Sequence, residues 1–240
     1  MKKLLDISKL TPKKLHLLGS NAREKDNHLG ALQYLDHAII GYQRENNYEG
    51  IVDALKDRTL TWKRFFLLTQ DRVFAILARK DAETMLEITK EKDLKNKYST
   101  SYFRLGEVSM LFENYQDAIK NYKKALEVYE GSLAEKGDFR YHLGEAVYRN
   151  GKKKQGKEVM LEGLNEIRKG AKKVPNFLIH VWESGCHLRL ARLLRVDEPK
   201  EAQKYLELAK KIINDDEKLV IRKRQLNEVE KSFLESKKSF

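Results

Sequence analysis

One spacing, repeated along the chain, constrains its fold more than any other feature. Leu18-Gly19 is followed twelve residues on by Ala31, four further by Leu35 and three further by Ala38. Leu105-Gly106, Ala118, Tyr122 and Ala125 repeat it without change. In Leu143-Gly144, Gly156, Met160 and Gly163 both alanines have become glycines, and in Leu190-Ala191, Ala202, Leu206 and Ala209 the connection is one residue shorter. On a helix, residues four and three apart share a face, so each small–large–small set is one stripe. The small residue after Leu, opposite that stripe, lets a second helix approach closely. Asp26-Asn27, Glu113-Asn114, Asn150-Gly151 and Asp197-Glu198-Pro199 stand between the halves, residues suited to stopping one helix and starting another. Each unit reads as a helical hairpin.

Composition supports helices throughout. Pro12, Pro175 and Pro199 are the only prolines, each suited to a helix start, and Leu, Ala, Lys and Glu outweigh Val and Ile. The hydrophobic share of 41% is enough for a core. One cysteine, Cys186, rules out an internal disulfide and gives no sign of an oxidising compartment. The start, Met1-Lys2-Lys3-Leu4-Leu5-Asp6-Ile7, meets Asp6 and Lys9 before an apolar run develops, and no stretch has the length needed to cross a bilayer. The expectation is a soluble, cytoplasmic protein.

The pattern resembles the tetratricopeptide repeat (TPR) family, whose unit of roughly 34 residues carries Leu-Gly, Ala, an aromatic and Ala. Segment 99–132 matches best, with Tyr102 where the family often has Trp, then Leu105, Gly106, Tyr115, Ala118, Tyr122, Ala125 and Leu126. Segment 12–45 follows it, 137–170 departs through its glycines, and 176–212 begins with a longer first helix. Segment 48–92 lacks Leu-Gly and has Arg79 where a large apolar residue belongs between Ala75 and Ala82, so it reads as a degenerate, lengthened repeat. There Asn47 through Phe66 and Asp71 through Lys90 read as helices, with Thr69 as a cap. Leu219, Arg222, Leu226, Val229 and Phe233 lie on one face of a final helix over 215–236, as a solenoid's capping helix requires. The resemblance implies an all-α, TPR-like α-solenoid: one superhelical domain over 1–240, about five hairpins plus a cap.

It also implies an inner concave wall built from the first helix of each hairpin, where a protein or peptide binds. By helical phase the inward residues of 99–112 are Phe103, Arg104, Glu107 and Met110, and those of 137–149 are Tyr141, His142, Glu145, Tyr148 and Arg149. His16, Leu17, Ser20 and Arg23 come from the first repeat, and Arg189, Arg192 and Arg195 from the last. Mixed aromatics and arginines suit a peptide with apolar anchors and charge. The family's best-known subgroup grips the chaperone C-terminal carboxylate through Lys and Asn. Ser20, Glu107 and Glu145 occupy the positions where neutral donors would be wanted, which disfavours that ligand. Tyr122 and Leu105 are expected to hold their hairpin together, whereas replacing Tyr141 or Arg104 is expected to weaken binding and leave stability alone.

Chemistry has weaker claims. His180, Glu183, Cys186 and His187 share a helix but lack the HExxH order, so they read as a helix face and not a metal site. Gly151-Lys152-Lys153-Lys154-Gln155-Gly156-Lys157-Glu158 imitates a phosphate loop, with Glu158 replacing the hydroxyl that would hold magnesium and a helix, not a strand, before it. No nucleophile elbow, Cys-x-x-Cys pair or dinucleotide fingerprint is present, so neither an enzyme nor a cofactor is expected. The net charge of +12 raises a competing reading, an RNA- or DNA-binding helical repeat using Tyr141, Tyr148 and Arg149. Lysine, though, outnumbers arginine about two to one and is spread over the whole chain, which favours a solvated surface. A self-associating structural protein is the third reading.

Overall fold

The computed structural model describes residues 9–237; the basic start Met1 to Ile7 lies outside them. Among the described residues the fold is all-α. The helices are α1 Pro12–Glu24, α2 His28–Arg44, α3 Tyr48–Thr69, α4 Arg72–Glu91, α5 Tyr98–Leu111, α6 Tyr115–Glu127, α7 Leu133–Arg149, α8 Lys153–Gly170, α9 Asn176–Leu194, α10 Pro199–Asp215 and α11 Val220–Lys237. They pair as antiparallel hairpins from α1–α2 to α9–α10, and α11 packs on α9 and α10. The chain divides into two compact units, one ending at Val128 and the other beginning at Tyr129.

The turns are built as their residues suggest. Thr11 accepts from the Lys14 amide to cap α1, with Pro12 opening the helix. Asn27, Asn47 and Asn114 cap α2, α3 and α6 in the same way. Asp26, Asn46, Gln70, Asp93 and Glu113 adopt positive φ at helix ends, and Gly151 does so before α8. One cap differs from expectation. Asp71, not Thr69, caps α4 through the Val73 amide, while the Thr69 hydroxyl donates to the Phe65 carbonyl and accepts from the Asp71 amide.

The repeated small residues lie at the helix crossings. A Cβ on Gly106 would come within 2.5 Å of the Tyr122 ring, and one on Gly19 within 2.8 Å of Leu35. Between α7 and α8 the approach is backbone to backbone: a Cβ on Gly156 would lie 2.4 Å from the Tyr148 nitrogen and one on Gly163 2.6 Å from the Gly137 oxygen. The stripe residues Ala31, Leu35, Ala38, Ala118, Tyr122, Ala125, Met160, Ala202, Leu206 and Ala209 are all buried. Leu105 also reaches beyond its own hairpin. It is half-buried and packs with Ala78 and Ala82 of α4, so it ties α5 to the preceding hairpin. Leu219, Arg222, Leu226, Val229 and Phe233 are buried as their pattern requires, although α11 begins only at Val220, after Leu219, and α10 ends at Asp215.

Candidate functional site

In the first unit the first helices of the hairpins stand together, α3 contacting both α1 and α5. Their shared face is fixed by buried ion pairs. Asp57 of α3 accepts from the Ser20 hydroxyl of α1, lies 2.8 Å from Arg23 Nη1 and sits 3.2 Å from His16 Nε2. Burial opposes ionisation of Asp57, but Arg23, His16, Lys56 and Ser20 outweigh it and hold the carboxyl well below its ordinary value. On the next pair of helices, Glu107 of α5 accepts from Lys63 of α3 at 2.5 Å and from Arg104 of its own helix. Phe103 is 2% exposed and packs against Tyr122, with ring centroids 5.3 Å apart. Of the four residues predicted to face inward on α5, Arg104 and Met110 keep partial exposure, whereas Phe103 and Glu107 are internal.

In the second unit α9 contacts both α7 and α11. Tyr141 is 1% exposed, beneath the Arg189 guanidinium at 5.3 Å and stacked on His142 at 4.4 Å. Burial pushes its phenol well above the ordinary value. Glu145 is buried between Arg189 Nε at 2.5 Å and Arg149 Nε at 3.0 Å. Burial works against its charge, yet the two arginines keep its carboxyl below the usual range. The Tyr148 hydroxyl donates to the Leu193 carbonyl at 3.1 Å, fastening α7 to α9. Tyr141, His142, Glu145 and Tyr148 are therefore parts of the support. The expectation that Tyr141 could be replaced without loss of stability fails on this burial, because phase places it on the inward side of α7 but does not reveal the depth at which α9 covers it. Arg149 and Arg192 are the predicted residues of this unit that remain exposed.

Sequence reasoning makes α11 a cap alone. In the structure it also contributes to this face. Arg222 donates from Nε and Nη2 to the Val181 carbonyl at 3.1 and 2.9 Å, and Arg224 Nε lies 4.0 Å from Glu228, which also pairs with Arg192 at 3.2 Å. The clue in the sequence is Arg222 itself, an arginine within the apolar stripe.

Elsewhere the polar clusters have structural partners. His180 Nδ1 is 2.8 Å from Asp216, Glu183 accepts from Arg168 at 2.7 Å, and Cys186 is buried with its thiol pushed up by desolvation. Gly151 forms a turn and Gly156 a helix crossing, so the phosphate-loop imitation consists of hairpin parts. The tip of α3–α4 exposes Leu67, Leu68, Val73 and Ile76. Among the described residues, no helix is long and apolar enough to cross a membrane.

The SHNi-TPR family pattern matches residues 102–135, which take in most of α5, all of α6 and the first residues of α7. No curated protein matches the sequence. Among solved structures, the chain is similar to a Podosopora anserina protein described as a kinesin light chain with nearly identical TPR-like repeats, at 14% identity and a TM-score of 0.56, over 89% of this chain and 98% of that one. Those values belong to a point variant of that protein; a second crystal structure under the same description gives a TM-score of 0.55 at 14% identity, covering 89% of this chain and 100% of that chain. At this identity the likeness speaks for the fold. The chain is a TPR-like repeat protein whose helices pair in antiparallel hairpins.

Proposed function

We propose that the chain is a protein- or peptide-binding scaffold, and that within each of its two units binding occurs along the face formed by the first helices of the hairpins. The observation carrying this reading is the direct packing of first helix on first helix, α1 on α3 on α5 and α7 on α9 on α11. Buried ion pairs lock these helices, so the side chains left at the surface are held ready for a partner at small entropic cost. Arg104, Met110, Arg149 and Arg192 are the contact candidates, with Phe103, Glu107, Tyr141, His142, Glu145 and Tyr148 supporting them. TPR-like repeats generally serve as protein-interaction modules, and the role is binding, not catalysis.

Nucleic acid is the weaker reading. Sequence-tolerant binding of single strands relies on accessible aromatic faces, and Tyr141 and Tyr148, which prompted it, are buried.

Affinity capture with mass spectrometry should identify a protein partner, and calorimetry should then show Arg104→Ala or Arg149→Ala weakening it by about 1–2 kcal/mol. Unchanged affinity in both, with binding lost on Lys153→Ala and Lys157→Ala, would move the site to the opposite side of the hairpins.

A further inference from the structure

The lysines of α8 divide into those the fold has answered and those it has not. At the start of the helix Lys153 pairs with Asp197 at 2.5 Å and Lys157 with Glu198 and Glu201, both at 2.6 Å, so the beginning of α10 and the turn before it neutralise this part of the basic run. The far end differs. Lys169 lies in the last turn of α8, Lys172 and Lys173 occupy the short 3-10 turn Ala171–Lys173, and all three are exposed. Among the described residues none of their ammonium groups has an ion-pair or hydrogen-bond partner. The sequence supplies no carboxylate between Glu166 and Glu183, and Glu183 is committed to Arg168 at 2.6 Å. The acidic α10–α11 connection, whose Asp216 holds His180 at 2.8 Å, bounds the basic stretch on its other side. Favourable charge at a helix C-terminus accounts for Arg168 and Lys169. It leaves Lys172 and Lys173, which follow the helix, without a structural reason.

Apolar residues stand beside these lysines. Val174 and Phe177 are partly buried and packed on the core of the unit, whereas Leu178, in the first turn of α9, is 37% exposed. Leu133 opens α7 and is 43% exposed. It lies at the same end of its hairpin, because the next residue, Ala134, meets Gly170: a Cβ on Gly170 would be 2.4 Å from the Ala134 nitrogen.

We infer that the connection between α8 and α9 docks on an anionic lipid surface, with Lys169, Lys172 and Lys173 at the headgroups and Leu178 and Leu133 reaching into the layer beneath them. This surface is separate from the first-helix face and does not depend on the protein-binding reading.

The unanswered charge selects an anionic occupant, and the choice then lies among lipid, an acidic protein segment and nucleic acid. Two features favour lipid. No neighbour holds the three ammonium groups in place, and a fluid layer of headgroups needs no fixed donor geometry, whereas recognition of a particular carboxylate or base does. Long lysine stems also let the charge stay among headgroups while apolar neighbours reach hydrocarbon, which gives the exposed leucines a role that a polyanionic chain would not. Single-strand binding would need accessible rings, and Phe177, the only aromatic residue between Glu166 and His180, is packed on the core.

The test is sedimentation with lipid vesicles, one set of phosphatidylcholine alone and one carrying phosphatidylserine at about one lipid in three. The intact chain is expected to sediment with the second set and not with the first. Lys172→Glu/Lys173→Glu should weaken this binding roughly tenfold or more, and Leu178→Gln about threefold. Lys152→Glu/Lys154→Glu, which changes the net charge equally at exposed positions at the start of α8, should alter it less than about twofold. Circular dichroism checks that all three variants keep their helices. Absent binding to the phosphatidylserine vesicles would overturn the inference. Equal weakening in the two lysine variants would do so as well, by reducing the attraction to net charge, and so would a Leu178→Gln variant that binds like the parent, because contact with charge alone is not docking into a lipid layer. A twelve-residue oligo-glutamate and a twelve-nucleotide single strand, labelled for fluorescence anisotropy, represent the other occupants: binding of either that is lost in Lys172→Glu/Lys173→Glu, with vesicle binding absent, would assign the surface to an acidic macromolecule. These outcomes leave the protein-binding reading in place, since Arg104 and Arg149 lie outside the altered positions.

Discussion

The α7–α8 hairpin and the α3–α4 hairpin reach the same arrangement by opposite means. In α7–α8 glycines let the backbones touch, so little side-chain volume lies between the helices. The α3–α4 hairpin has no such crossing. Its helices are joined by side chains: Arg58 of α3 donates to Asp81 of α4 at 2.8 and 2.7 Å, and Trp62, Phe65 and Phe74 form a cluster of rings 5.0 to 6.1 Å apart. A repeat can thus lose its signature residues and keep its shape if larger side chains fill the space. The second solution costs specificity in the sequence, because many combinations of side chains can fill a given gap, whereas a backbone contact admits only glycine.

The largest effect is expected where α3 meets the preceding hairpin, at the pairs that Asp57 makes with α1. Asp57→Ala should destabilise the chain by about 3–5 kcal/mol, because it removes the buried carboxylate that answers Arg23, leaving that guanidinium only Glu24, and frees the His16 and Ser20 groups that Asp57 engages. Chemical denaturation at neutral pH measures this, and a loss below about 1 kcal/mol would mean that α1 and α3 do not depend on the pair. The pH dependence follows from the direction of the shift. Asp57 ionises in the folded chain well below the ordinary 3.8, so on acidification the unfolded chain takes up the proton first. Its contribution is complete above the ordinary value and is lost as pH falls toward the folded one. The gap between the parent and Asp57→Ala should therefore narrow below about pH 4.

The backbone solution is tested by Gly156→Ala. Helix propensity alone favours alanine by about 1 kcal/mol, but the added methyl would meet the Tyr148 backbone at 2.4 Å. Overpacking should win, with a net cost of about 1–3 kcal/mol. A stabilised variant would show that α7 and α8 can separate without penalty.

What is legible in the sequence follows the same division. The hairpins, their bounds and their turns can be read from Gly19, Gly106, Gly144 and the alanine stripes, because close helix contact allows few residues. The cap can be read from Leu219 through Phe233 by period alone. The degenerate repeat is legible as helices but not in its chemistry, since nothing in the position of Arg79 announces that its guanidinium lies 3.5 Å above the Phe112 ring. The candidate face is legible in direction only. Phase places Phe103, Tyr141 and Tyr148 on the inward, ligand-facing side of their helices, and only the packed structure reveals that they are buried among neighbouring helices.

Arg79 sharpens the comparison at smaller scale. Arg79→Ala should cost about 0.5–2 kcal/mol through the lost ring contact with Phe112, and Arg79→Met should restore part of it, since an apolar chain can still cover that ring. Thermal denaturation of the pair separates packing from charge. An equal loss in both variants would show that the guanidinium, not the stem, makes the contact.

The smallest effect is expected at the tip of α3–α4, where lengthening the helices has carried apolar residues beyond any packing. Leu68 and Val73 are 47% and 55% exposed. If the side-chain solution ends at the aromatic cluster, neither residue contributes to the hairpin, and Leu68→Gln with Val73→Gln should change stability by no more than about 0.5 kcal/mol. Thermal and chemical denaturation of the double variant would give that value directly. A loss above about 1 kcal/mol would place these residues inside the packed structure and extend the side-chain solution to the end of the hairpin. With stability unchanged, folding gives no reason for leucine and valine at these positions, in contrast to Gly156, where packing alone specifies the residue.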